Sequence, residues 1–225
     1  MKISWKSELP LLVLLALMFA LAAANWNTVP DRVPVHWGLD GRPNGWGPRG
    51  VGLLGLPVVG AFTYLLLLIV PLLDPGRAQL ARSGGAITLL RGALLVMLIV
   101  LEGAMIESFH GANVDMTAVV LPLLGAFLVL MGPILSCLGP NYTAGIRTPW
   151  TLTSRVSWEG THRAASRVFP LAGLVWIGAG IVRGPWAVPC AFGVLVLAVV
   201  GLAAYSWVLW RDDPDKVAPG GPPRS

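Results

Sequence analysis

The chain has 225 residues, 55% of them hydrophobic and only 12% charged, with a mean hydropathy of +0.71. Soluble domains carry about 25% charged residues, so too little polar surface exists to face water, and a soluble globular fold is excluded. The net charge of +5 does not point to nucleic acid, because the 16 Lys and Arg lie between apolar blocks, where such residues set membrane orientation.

Reading with the length of a bilayer-spanning helix, about 17–25 mostly apolar residues, predicts six spans. The first is Leu9–Asn25. Lys2 and Lys6 precede it and Ala22-Ala23-Ala24 closes it, so a cleaved signal peptide is a rival to the retained helix. Cleavage would not alter the orientation of the later spans.

An extracytoplasmic loop, residues 26–50, follows. Pro30 and Pro34 force an extended path, and Val35-His36-Trp37 reads as a strand-like arm. Gly38, Gly41, Gly45 and Gly47 then read as a run of tight turns. His36 and Asp40 could meet across a turn, but one His with one Asp is an incomplete metal shell, so no metal is expected there. The plainer reading has His36 bonding loop backbone while Trp37 and Trp46 rest on the membrane surface.

Val51–Leu73, Ala86–Ser108 and Thr117–Leu138 are the next three spans. The third of the six carries the ionisable residues Arg91, Glu102 and Glu107, each costly inside a bilayer. Arg91 and Glu107 lie near opposite ends, where they can snorkel. Glu102 is eleven residues from Arg91 on nearly the same face, which is about 16 Å along the axis and too far to pair. It is either protonated, or paired on another helix or in a polar cavity, or it reaches the outer interface beside Glu107. Cys137 and Cys190 fall in apolar stretches without CxxC spacing and are expected to be small buried hydrophobes.

The second distinctive loop runs from Gly139 to Arg167. Gly145–Trp150 reads as extended, since Pro149 disfavours a helical Thr148. A short amphipathic helix capped by Thr153 or Ser154 should follow. On it Trp158 and His162 share one face, and Glu159 and Arg163 have the spacing of an ion pair. An ordinary interfacial helix, with Trp158 among headgroups and arginines facing anionic lipid, would look much the same. The last spans are Val168–Val182, whose start Pro170 breaks, and Trp186–Trp210. The chain thus divides into residues 1–138 with four spans, residues 139–210 with two, and a tail, 211–225, expected to be disordered.

Placing the N-terminus inside leaves only Arg32, Arg42, Arg49 and Arg183 outside, with the other twelve Lys and Arg inside. The positive-inside bias therefore predicts cytoplasmic termini. Trp5, Trp26, Trp150, Trp186, Trp207 and Trp210 fall near span ends, as an amphipathic indole prefers. The fold class expected is all-α: a polytopic membrane protein of about six helices, surrounded by the lipid bilayer.

Two stretches resemble a known family, the bacterial SdpI-type immunity proteins. VPDRVPVHWGLDGRPNGWG is similar to the family's extracytoplasmic module, with its Pro-x-x-(Ile/Val)-Pro-x-His pattern. NYTAGIRTPWTLTSRVSWEGTHR is similar to its signature, an Asn, then Gly-Ile-Arg-Thr-Pro-Trp-Thr-Leu, then Trp-x-x-x-His-Arg. It departs from the family at Arg155 and Val156, where members often carry acidic residues. The resemblance implies a bacterial plasma-membrane protein giving resistance to an antimicrobial or toxin peptide and relaying to a cytoplasmic transcriptional repressor. It places peptide contacts at His36, Trp37, Asp40 and Trp46. The inner partner would meet Asn141, Gly145, Arg147, Thr148, Trp150, Trp158, His162 and Arg163.

Two other classes compete with immunity. A small-solute or proton-coupled transporter should show several polar groups at mid-membrane, and Glu102 stands alone there. An enzyme is the least expected: His36 and His110 fall on one side and His162 on the other, and no Ser-His or zinc motif occurs. No cofactor is expected.

Overall fold

Ser4 starts the first helix with a capping box: its hydroxyl accepts from the Ser7 amide while the Ser7 hydroxyl accepts from the Ser4 amide. In the computed structural model, residues 4–217 are described. Helix α1 (Trp5–Asn25) leads into a hairpin of β1 (Arg32–Trp37) and β2 (Pro43–Pro48). Then come α2 (Arg49–Leu73), a one-and-a-half-turn α3 (Arg77–Arg82), α4 (Gly84–Phe109) and α5 (Met116–Ser136). The chain closes with α6 (Pro149–Thr153), α7 (Arg155–Val182) and α8 (Ala187–Arg211). Six of these helices, α1, α2, α4, α5, α7 and α8, are long and apolar enough to cross a membrane. The protein is an all-α polytopic membrane protein with one small sheet. Val58, Phe62, Leu171, Ile181 and Leu197 are exposed side chains of the kind that lipid covers. Cys137 and Cys190, expected to be buried, are exposed as well. In a lipid-covered bundle, an apolar residue has no need to turn inward.

Packing sorts the spans into two groups of three. Helices α1, α2 and α4 pack on one another, and α5 packs far more extensively on α7 than on α4, with α8 against α7. The fourth span, α5, packs chiefly on α7 and also on α4. The α5–α7 contact is backbone on backbone. A Cβ on Gly125 would sit 2.6 Å from the Gly173 carbonyl, and one on Gly173 would sit 2.4 Å from the Gly125 carbonyl. Small residues are what allow helices to approach this closely in lipid.

Helix α7 differs from its expected form. A separate amphipathic helix and a short span are one continuous helix of 28 residues, running through Pro170. Proline leaves the carbonyl of residue 166 without its helical donor and pushes its ring into the preceding turn. Here both features lie against Gly132, whose missing side chain makes the room: a Cβ there would meet Pro170 Cγ at 2.5 Å and the Ser166 carbonyl at 2.7 Å. The expected Glu159–Arg163 pair is replaced by Arg155–Glu159, at 2.7 Å. Of the tail expected to be disordered, Asp212–Val217 is ordered against the loop before α7, and residues 218–225 lie outside the described residues. Asp213 is buried, accepting from Ser154 Oγ at 2.5 Å, and the Val217 amide donates to the Thr153 carbonyl at 3.0 Å.

Candidate functional site

The two loops stand at opposite ends of the bundle. At the hairpin end, β1 and β2 pair antiparallel with Val33 opposite Gly47 and His36 opposite Gly45. The second strand runs where tight turns were expected. Its glycines serve as gaps: a Cβ on Gly45 would lie 3.0 Å from His36 Cβ, and one on Gly47 would lie 3.2 Å from a Val35 methyl. The tight turn is confined to 38–42, where the Gly38 amide donates to the Arg42 carbonyl at 2.9 Å and Gly41 adopts φ +74°.

The hairpin is fastened to both helix groups. Val33 is fully buried among Ala22, Val29, Leu53, Ile106 and Phe109. Arg49 holds Asp31 at 3.3 Å and donates to the Trp26 carbonyl at 3.2 Å. At the turn, the Met116 amide donates to the Gly41 carbonyl at 3.1 Å and Thr117 Oγ1 donates to the Leu39 carbonyl at 3.0 Å. Thus one strand sits on α1, α2 and α4, and the tip sits on the start of α5.

His36 does not meet Asp40. Its Nδ1 lies 2.5 Å from Asn44 Oδ1, while Asp40 accepts from the Arg42 amide at 3.2 Å. His36 and Asp40 are exposed, and so is Trp46. Trp37 is turned in, between two apolar clefts. One, of about 210 Å³, is lined by Leu39, Leu121, Leu124, Trp176 and Phe192 beside Trp37. The other, of about 450 Å³, is lined by Val35, Val51, Leu56, Leu101 and Met105 beside Trp37. The indole Nε1 of Trp37 is buried with no hydrogen-bond partner among the described residues. This end can hold an apolar chain.

At the opposite end, the sequence between α5 and α7 folds around two buried polar residues. Asn141 Oδ1 accepts from the Thr143 and Ala144 amides at 2.8 and 2.7 Å, and its Nδ2 donates to the Gly139 carbonyl at 2.8 Å. Asp74, just past α2, accepts from the Tyr142 amide at 2.9 Å, from the Gly76 amide at 2.6 Å and from Thr143 Oγ1. It ties the loop to the first helix group. Asp74 was missed in the sequence because a lone Asp beside a helix-ending Pro-Gly reads as a turn residue.

The Gly-Ile-Arg-Thr-Pro-Trp-Thr run and the Trp-x-x-x-His pair assemble into one unit. Trp158 and His162 stack with centroids 4.1 Å apart, as their shared face foretold. Both are buried, however, at 1% and 2% exposure, rather than set among headgroups or a partner's side chains. Trp158 Nε1 donates to the Leu138 carbonyl at 2.8 Å. His162 Nε2 is 3.1 Å from the Ile146 amide, which can only donate, and Nδ1 is 2.8 Å from the Trp158 carbonyl, which can only accept. The ring is therefore the neutral Nδ1–H tautomer. Gly145, at φ +113°, makes this possible, since a Cβ there would lie 2.5 Å from His162 Nε2.

Thr148 is extended, as Pro149 requires, and caps α6 reciprocally with Thr151. Its hydroxyl lies 2.9 Å from that of Ser206 on α8. Ser154 caps α7, as its position indicated, by accepting from the Ser157 amide at 2.9 Å. Of the expected contact residues, Arg147 and Arg163 are exposed, Trp150 is half-buried, and Asn141, Trp158 and His162 are internal. Arg155, Glu159 and Arg163 border a polar cleft of about 570 Å³ together with Gln79 and Ser83. This end presents a rigid, basic surface built on a buried scaffold.

The membrane charges are arranged differently from expectation. Arg91 does not snorkel: its Nη1 and Nη2 each reach a Glu8 carboxylate oxygen at 2.9 Å. Tyr64 Oη donates to the same carboxylate at 2.8 Å, so α1, α2 and α4 meet at one buried cluster. Glu8 lay just outside the first span as read from the sequence, and so was not counted among the membrane charges. Glu107 is exposed near the end of α4, but Glu102 does not join it there: it is 2% exposed and neither oxygen has a partner among the described residues.

Both ends fall in stretches that match known protein families. Residues 138–209 match the SdpI/YfhL protein family, and residues 13–61 match a domain of unknown function, DUF1648. The likeness is to SdpI-type proteins. The chain is similar to the Immunity protein SdpI of Bacillus subtilis (strain 168), 21% identical over 204 residues that cover 90% of this chain and 96% of that one. No solved structure matches. The first match ends inside α2 and takes in the hairpin, and the second spans the α5–α7 loop through most of α8. The SdpI-type part therefore contains the whole Trp158–His162 unit and its Ser206 partner.

Proposed function

We propose that this chain is an immunity protein of a bacterial plasma membrane, protecting the cell from an antimicrobial or toxin peptide. The observation that carries this reading is the similarity to an immunity protein along nearly the whole length of both chains. The same similarity speaks for a role without catalysis. The orientation proposed has the hairpin end outside and the α5–α7 loop inside, following the bias of Lys and Arg.

In this reading an amphipathic peptide arriving from outside lays an apolar segment into the clefts beside Trp37, whose unpaired N–H takes one carbonyl of the peptide. His36, Asp40 and Trp46, exposed around it, meet the peptide's polar side. The hairpin bears on both helix groups, so a peptide that shifts it changes how α4 meets α5. Asp74 joins the same two groups at the inner end. There a cytoplasmic regulator reads the exposed Arg147, Arg155 and Arg163, while Trp158, His162 and Gly145 keep that surface in shape. The Arg155 and Val156 at this spot favour a partner with an acidic face over a basic one.

The test is survival of a sensitive bacterium against a panel of membrane-active peptides. Wild type, Trp37→Ala and Arg147→Ala are compared at equal membrane levels. Protection by wild type that Trp37→Ala loses supports peptide capture at the hairpin. Protection retained by Arg147→Ala, with loss of any transcriptional response, separates capture from relay. No protection by wild type against any peptide sinks the reading.

A further inference from the structure

Two buried glutamates lie within the first helix group, in opposite circumstances. Glu8 is ionised and saturated, with two bonds from Arg91 and one from Tyr64. Glu102 is as deeply buried, and both its oxygens lack any partner among the described residues. An uncompensated carboxylate in apolar surroundings is far more costly to bury than the neutral acid.

No neighbouring element supplies a counter-charge. Helix α1 carries Lys6 and Glu8, and α2 carries Arg49 and Tyr64. Of these, Glu8 and Tyr64 are committed to Arg91, about 16 Å away along α4. Lys6 lies at the same far end, and Arg49 is taken by Asp31. Helix α5 has no ionisable residue, α3 carries only Arg77 and Arg82 at the loop end, and β1 carries Arg32 and the exposed His36. On α4 itself, Glu107 would only repel.

A cleft lies beside the turn of α4 that carries Glu102. The cleft of about 450 Å³ under the hairpin is lined by Leu101 and Met105, the residues one before and three after Glu102 on α4. It opens at the hairpin end beside His36. We propose that the Glu102 carboxyl is a proton-binding site, occupied at rest as the neutral acid and exchanging its proton with the cleft under the hairpin. Release leaves the carboxylate and passes H⁺ to water in the cleft, and uptake reverses the step. Because Leu101 and Met105 line the same cleft as Trp37, anything seated there changes the access of water to this group. The site stands whether or not the chain confers peptide resistance.

The test uses the full chain in lipid nanodiscs with dicyclohexylcarbodiimide, an apolar reagent that adds to protonated carboxyls inside membranes. Peptide mapping by mass spectrometry reads the adduct, with Glu102→Gln marking its position. The expected result is an adduct on Glu102 and none on Glu8. Its yield should fall about tenfold or more from mildly acidic to strongly alkaline buffer, as the protonated fraction of an exchanging acid must, while the protein stays monodisperse. An unlabelled Glu102, or a yield that does not change with pH, would overturn the proposal; the second result would make Glu102 a sealed structural acid.

Discussion

Glu8 and Arg91, 83 positions apart in the chain, meet through two parallel hydrogen bonds of 2.9 Å inside the first helix group. The guanidinium also lies 5.5 Å from the centre of the Tyr64 ring. Removing one member of such a pair leaves a buried charge without compensation. Glu8→Ala should therefore lower stability by about 3 kcal/mol or more, seen as an earlier thermal transition in detergent. The double variant Glu8→Gln/Arg91→Met, which removes both charges, should recover most of that loss. An Arg91→Met single variant as stable as wild type would contradict the pairing.

Gly145 tests the unit at the loop end. Gly145→Ala places a methyl on His162 Nε2 and asks for a strained φ. The Ile146–His162 bond and the strain together predict a loss of about 2–4 kcal/mol, with new protease cleavage between Asn141 and Arg147 in membrane preparations. Cleavage no faster than in wild type would show that the loop does not depend on this close approach.

The α5–α7 contact makes a prediction with its own control. Gly173→Leu forces a side chain against the Gly125 carbonyl and should abolish stable accumulation in the membrane. Gly178→Ala, on the same helix with open space around it, should stay within about 1 kcal/mol of wild type or gain slightly. Similar behaviour of the two variants would rule out backbone contact as the reason.

Orientation is read most directly with the native thiols. Cys137, exposed at the loop end, should react with a membrane-impermeant maleimide only after cells are opened, in a Cys190→Ala background. An Asp40→Cys variant of a Cys-free chain should react in intact cells. The reverse pattern would invert the proposed topology and move peptide capture to the other end.

The six spans were legible because a bilayer imposes a length and a composition that single residues cannot hide. Local chemistry was legible too: Ser154 as a cap, an extended Thr148 and the shared face of Trp158 and His162 all follow from neighbours within a few positions. What escaped were features decided by distant partners. Arg91 looks like a snorkelling residue until Glu8 is placed beside it. Pro170 looks like a break until Gly132 on another helix opens the space for its ring. Trp158 and His162 have the composition of a contact surface, and only the carbonyl of Leu138 and the amide of Ile146 reveal them as scaffold. Glu102 left its alternatives open in the sequence, since periodicity gives a face but not what lies opposite.

At the α5–α7 crossing, Gly125 and Gly173 let the two backbones touch, with Ile177 and Val129 packed beside them. Such a pair is stiff in the way a rod is stiff. One end of the rod carries the hairpin tip, through Met116 and Thr117, and the other carries the indole of Trp158, clasping Leu138. In the proposed relay, a push on the tip would travel along this pair as a tilt, with the less extensive α4–α5 contact as its pivot.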